Sequence, residues 1–204
     1  GLREGLGYSM KNRIILHLLG LGIVGGLFGM SFETLLPVFA DQVLAGDVSR
    51  YGWLLLSIGV GGLTGAATLA RVGTLKNAAT IHLIVGAGLG LSLIAFSQIT
   101  WFPAAVGVLA FVGGFSVMFL TVNNTMVQGV VDEEFRGRVM SLHQLTWGAT
   151  AIGGLVMGTL AQITDAPMAL LIAGSLAVIG TAAFATSIVR KWCPQRGSNP
   201  RSPP

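Results

Sequence analysis

The sequence predicts an all-α integral membrane protein, a bundle of six transmembrane helices, on three observations. Charge is scarce, apolar runs reach spanning length, and basic residues are confined to alternate connections. Of 204 residues, 10% are charged and 52% are hydrophobic, and mean hydropathy is +0.76. Soluble domains carry roughly 25% charge, so the composition argues against a soluble globule. The stretch 77–131 holds no Asp, Glu, Lys or Arg at all. That is far longer than the roughly 20 apolar residues a helix needs to cross a hydrocarbon core of about 30 Å.

Taken in order, residues 1–13 form a basic segment on the cytoplasmic side. Span one, about 14–39, carries "GIVGG" and "GLFG". Span two, about 51–70, has Trp53 near its outer end and "GGLTG" within it. Span three, about 77–96, carries "GAGLG", and Ser97 to Thr100 supply a turn. Span four, about 102–129, begins with Trp101 at the interface and Pro103 in the first turn, where a missing N–H costs nothing. Span five, about 139–162, carries "GLVMG"; span six, about 166–189, ends before Arg190, Lys191 and Trp192. The tail 193–204 has four prolines and no apolar run, which predicts disorder; its abrupt change of composition raises the alternative that it is non-native.

With both termini cytoplasmic, eleven of the twelve Lys and Arg residues fall on the inner side and only Arg50 on the outer. The positive-inside rule selects that orientation. The glycine pairs Gly22/Gly26, Gly25/Gly29, Gly61/Gly65, Gly86/Gly90 and Gly154/Gly158 lie four apart, a spacing that lets helix backbones approach closely. They serve static packing or, alternatively, smooth faces that rock. "VGGLFGM" at 24–30 and "VGGFSVM" at 112–118 share Val, Gly, Gly and Met at an offset of 88 residues. An offset of three spans inverts the second copy, as in the inverted repeats of many transporters.

A pI near 9.8 would suit nucleic acid only if the cations formed one patch; here they sit in short groups between spans, so nucleic acid is not expected. The single cysteine, Cys193, allows no disulfide framework or thiolate metal site. No phosphate-binding G-x-x-x-x-G-K-[ST], serine elbow or H-E-x-x-H stretch is present, which argues against an ATP-driven pump and an intramembrane enzyme. No cofactor is expected. The chain starts on Gly without a signal peptide and reads either as a piece of a longer protein or as one with its start removed.

Five of the seven residues Asp132 to Arg138 are charged. They form the cytoplasmic loop between spans four and five. The carboxylates Asp132, Glu133 and Glu134 meet the positive end of the following helix. Arg136 and Arg138, with Gly137 between them, can grip a carboxylate through two bonds; the segment is either a latch or a hydrated loop that sets topology. Within the spans, Glu33 is the one acid. It is either a coupling or cation-binding carboxylate or, lying near the outer surface, a group that reaches outer water. Asn124 and Gln128 share a face of span four, as interhelical glue or cavity lining. Gln144, Trp147 and Thr150 lie three apart on span five, as a cavity wall or as packing. His17, His82 and His143 fall just inside the cytoplasmic ends of odd spans and read as interfacial rather than as a metal site.

Two loop stretches carry a resemblance. "GxxxxARVGTLK" at 65–76 resembles the cytoplasmic loop signature of the major facilitator superfamily. "VDEEFRGRVMSL" at 131–142 is similar to the D-E-x-R-G-R-V-M-S-L stretch of its enterobactin-exporter-like and macrolide-efflux-like branch, and "LLPVFA" at 35–40 matches that branch too. The likeness covers about residues 3–192 and implies the C-terminal six of twelve helices, with two inverted three-helix repeats. It further implies a secondary transporter whose halves rock about a central cavity. Arg71, Asp132, Arg136 and Arg138 would belong to a cytoplasmic gate latch, and Gly73 and Gly137 would let its loops turn tightly. Ala70 stands where the signature carries an acid, and Thr74 and Leu75 where it carries bases, so the latch of this half would rest mainly on the second loop. The expectation is proton-coupled efflux of a small organic molecule across a bacterial inner membrane, with the bilayer and a missing N-terminal half or second copy as partners. A non-transporting membrane scaffold is the alternative.

Overall fold

A computed structural model describes residues 7–10, 12–44, 48–72, 78–145 and 148–196. Every element in them is helical. Span one is assembled from α1 (Arg13–Val24), a π segment (Gly25–Gly29), a 3-10 turn (Ser31–Thr34) and α2 (Leu36–Gln42). Span two is α3 (Val48–Val72), span three α4 (Ala78–Ser97) and span four α5 (Phe102–Val130). Span five is built from α6 (Glu133–Leu145) and α7 (Gly148–Ile163), and span six is α8 (Ala166–Arg196). Five stretches are long and apolar enough to cross a membrane: 14–34, 49–72, 78–97, 102–130 and 166–184. Neither α6 nor α7 reaches that length alone. The protein is a multi-pass, all-helical membrane bundle.

The helix ends follow from local chemistry. Asn12 accepts a hydrogen bond from the Ile14 amide at 3.1 Å and caps α1. Pro103 lies in the first turn of α5 as expected. Asp165 accepts from the Met168 amide at 2.7 Å and starts α8. That last helix continues to Arg196, so residues 193–196, expected to be disordered, extend it; a helix already nucleated by packing propagates cheaply.

Span one departs from the continuous helix expected over 14–39. The glycine run Gly25, Gly26 and Gly29 has little side chain to enforce a regular ladder, and the turn opens to a π segment. The Ser31 hydroxyl then donates to the Gly26 carbonyl at 2.8 Å and to the Thr150 carbonyl of α7 at 3.1 Å. Pro37, in the first turn of α2, removes a further ladder donor.

Close backbone approach holds the bundle together. A Cβ at Gly65 of α3 would lie 2.5 Å from the Gly114 carbonyl oxygen of α5, and one at Gly61 would collide with the Ala110 backbone. On α4, a Cβ at Gly90 would lie 2.7 Å from the Gly174 carbonyl oxygen of α8, and one at Gly86 would meet Thr181. A Cβ at Gly153 of α7 would lie 2.5 Å from the Leu27 carbonyl oxygen of span one. These contacts obey the repeat. Residue 153 follows 65 by 88, and Leu27 is one residue from Gly26, the counterpart of Gly114. Packing of span two on span four thus becomes packing of span five on span one, and packing of span three on span six maps onto itself. Of the pair Gly154/Gly158, Gly154 approaches Thr34 while Gly158 faces open space.

Candidate functional site

The charged stretch 132–138 is helical from Glu133, a correction to the expected loop. Two carboxylates at the positive end of a helix, Glu133 and Glu134, favour that start. Gly137 sits within the helix with open space around it, so it makes no tight turn. Asp132 precedes the helix and its carboxylate accepts a hydrogen bond from the Tyr8 hydroxyl at 2.8 Å. The Tyr8 ring stacks on Phe135, with centroids 4.5 Å apart and planes inclined by 8°, and the Arg138 guanidinium lies over the other aromatic partner, Phe135, at 5.6 Å. Partial burial, and then the Asp132 carboxylate, hold the Tyr8 phenol above its ordinary value. The charged segment is therefore clasped to the stretch that leads into span one. Arg136 is exposed. Neither Tyr8 nor Phe135 was singled out from sequence; an aromatic residue in an otherwise polar leader was the available signal.

Arg71 is exposed at the end of α3, while Gly73 lies outside the described residues. At the opposite end of the bundle, the Arg50 guanidinium donates to the Leu44 carbonyl at 2.8 Å and covers the Phe102 ring at 5.3 Å. It ties the ends of spans one and four on that side of the bundle.

Glu33 lies in the 3-10 turn and is exposed. Asn124 is half-buried and Gln128 exposed; the Gln128 side-chain amide donates to the Asn124 oxygen at 3.3 Å, as their shared face requires. Gln144 is exposed near the end of α6, and Thr150 is half-buried in α7, its carbonyl bonded to Ser31. Trp147 lies outside the described residues. The three do not form one helical stripe across described residues, because α6 ends at Leu145.

Two of the three histidines are buried within the bundle, and His17 is half-buried. His82 has 0% exposure and His143 5%. The His82 ring is stacked on Phe119 at 4.6 Å and meets the edge of Phe184 at 5.6 Å. Neither of its ring nitrogens has a hydrogen-bond partner among the described residues. A buried polar group left unpaired costs about 1–3 kcal/mol. Asn123, the neighbour of Asn124, is also buried with its side-chain oxygen unpaired among the described residues.

Beside this stack runs an apolar crevice lined by Leu21, Gly25, Gly86, Leu89, Phe119 and Thr181. Its empty space, about 220 Å³ with its open mouth, is below the roughly 300–1,000 Å³ of a pocket that encloses a small organic ligand. This bundle does not enclose a substrate-sized chamber there.

Over residues 1–203 the sequence matches the family described as transmembrane secretion effector. It is 25% identical over 137 residues to a staphyloferrin A transporter of Staphylococcus aureus (strain NCTC 8325 / PS 47), a match covering 66% of this chain and 34% of that protein. It is 26% identical over 168 residues to the multidrug efflux pump Tap of Mycolicibacterium fortuitum, covering 79% and 40%. The chain thus spans less than half the length of either relative. Both relatives are transporters rather than enzymes. Matched along nearly its whole length and folded as an all-helical membrane bundle, the chain belongs to the transmembrane secretion effector family of the major facilitator superfamily.

Proposed function

We propose that this chain is one six-span half of a secondary active transporter that exports a small organic molecule by alternating access, in exchange for protons. The observation that carries the reading is an asymmetry of the exposed surface. Among the described residues, α4 exposes Ile84, Leu91 and Ala95 with Thr80 at its end, and α8 exposes Met168, Leu176, Ile179, Ala182 and Ala183, none of them charged or an amide. Spans one and four expose Glu33, Thr121 and Gln128 beside apolar residues such as Leu16 and Phe111. Polar groups are costly against lipid and are expected to face a partner or a water-filled cavity. A cavity bounded by spans one and four and closed by a missing half or a second copy accommodates them. The short crevice and the greater length of both relatives support the same reading.

On this reading the termini are cytoplasmic, the membrane is a bacterial inner membrane, and 132–138 is the cytoplasmic gate. Asp132, clasped to Tyr8 and Phe135, anchors it; Arg136 and Arg138 of α6 supply cations that engage the other half when the gate shuts, with Arg71 beside them. Asn124, Gln128 and Gln144 approach the cavity from the cytoplasmic side and Thr150 lies deeper, beside Ser31. Glu33 carries a coupling proton near the outer end. The test is Arg136→Ala with Arg138→Ala in the full-length transporter, read as efflux of a cationic dye from energised cells and as membrane-inserted protein. The expected result is at least about tenfold slower efflux with insertion unchanged. Wild-type efflux would remove both residues from the gate.

A further inference from the structure

The most unusual group in the bundle is His82. It is fully buried, its ring is stacked on Phe119 of α5 and meets Phe184 of α8 in a T-shaped contact, and both nitrogens are unpaired among the described residues. A neutral imidazole has one donor and one acceptor to satisfy, and its protonated form has two donors. A polar side chain buried without partners calls for an explanation other than packing. Phenylalanine would fill the same space among two phenyl rings with nothing to satisfy.

We infer that His82 is a proton-binding site whose occupation opens the contact between the cytoplasmic ends of spans three, four and six. Three features support this. Imidazole is the side chain whose ordinary titration falls between pH 5 and 8. Two phenyl groups offer a cationic ring only cation–π attraction and no acceptor for its two N–H groups, so proton uptake calls for water to reach it past Phe119 and Phe184. The surfaces that would part meet at glycines. One to two helical turns on, α4 meets α8 through Gly86 against Thr181 and through Gly90 against the Gly174 backbone, with Val178 seated over Gly90 and Ile94 over Gly174. Phe119 also lines the neighbouring crevice, so its displacement would join the histidine to that space.

Among the described side chains, no competing charge lies on α4, α5 or α8 up to residue 184; Arg190, Lys191 and Arg196 of α8 lie outside them. Helix α4 has no other titratable residue, 102–130 has none, and 166–184 has none. Span one, which reaches α4 through its π segment, contributes Arg13, His17, Glu33 and Asp41. Counting along the helices, Glu33 and His82 differ in depth by about 20 Å. They are stations near opposite ends of the bundle, so a proton arriving from outside at Glu33 can be delivered inside at His82. The role in coupling rests on the transporter reading; the opening itself does not.

The test uses the full-length protein in lipid nanodiscs with spin labels at Thr80→Cys on α4 and Gly129→Cys on α5, both exposed positions, and Cys193→Ser. The distance between them is measured from pH 8 to pH 5. The expected result is a longer-distance population that grows at least about fivefold on acidification. It should be absent in His82→Phe and His82→Gln, while His82→Phe raises the melting temperature at pH 8. A wild-type distribution that ignores pH, or the same acid opening in His82→Phe, would overturn the inference. Opening in a protein that exports nothing would leave the proton site standing and remove only the transporter reading.

Discussion

Adding one methyl group at Gly65 measures how much the α3–α5 contact depends on backbone approach. A Cβ there would sit 2.5 Å from the Gly114 carbonyl oxygen and 2.8 Å from its Cα, against an ordinary contact of about 3.5–4.0 Å. Both are backbone atoms, so no side chain can swing aside and the helices must separate by about 1 Å. Such a gap forfeits about a quarter to a half of each contact well, and overpacking of this kind costs about 1–3 kcal/mol. Alanine returns up to about 1 kcal/mol through helix propensity. Gly65→Ala should therefore be destabilising by about 1–2 kcal/mol. Gly153→Ala, whose Cβ would lie 2.8 Å from the Leu27 Cα, should fall in the same direction. Gly158→Ala, with nothing within 4 Å, should be neutral or stabilising by up to about 1 kcal/mol. The assay is the unfolding midpoint of the full-length protein in a mild detergent, followed by tryptophan fluorescence. If Gly65→Ala and Gly158→Ala shift the midpoint alike, close backbone packing is not what holds these helices.

Two further outcomes concern charge. Glu33→Gln should flatten the pH dependence of dye efflux; a wild-type profile would leave Glu33 without a coupling role. The Tyr8 phenol is held above its ordinary value of 10.0 by burial and by Asp132, so its pKa is higher folded than unfolded. The clasp is consequently at full strength below pH 10 and is lost as pH rises through the raised value. Phenolate absorbance in a Tyr51→Phe background should appear at higher pH than in Tyr51→Phe with Asp132→Asn; identical curves would mean that the hydrogen bond does not form.

Apolar helices α3, α4 and α5 were legible because hydrocarbon thickness imposes one length and one composition on them. Pro103 and the pairs Gly61/Gly65 and Gly86/Gly90 were legible for local reasons as well, since ring geometry and the lack of a Cβ act wherever those residues fall. The break in span one was legible only in part: its glycine run and Pro37 are local signals, whereas the Ser31 bond to the Thr150 carbonyl joins residues 119 apart. The clustered charges of 132–138 suggested a loop, although the same carboxylates, read as a dipole pair, already pointed to a helix start. His82 looked interfacial by counting residues from the span end. Its burial comes from Phe119 and Phe184 on two other helices, which no count along α4 contains.

The interleaved pairing of helices bears on how the protein is made. Spans emerge from the ribosome in order, yet span two packs on span four, span three on span six and span one on span five. Gly90 meets Gly174 only after about 80 further residues have been added, which at about 5–20 residues per second takes roughly 4–16 s. During that interval the narrow glycine face of α4 lies bare in the bilayer, open to any other small-faced helix. Early spans must tolerate solitary residence in lipid, and the choice of the correct neighbour is deferred until synthesis is nearly finished.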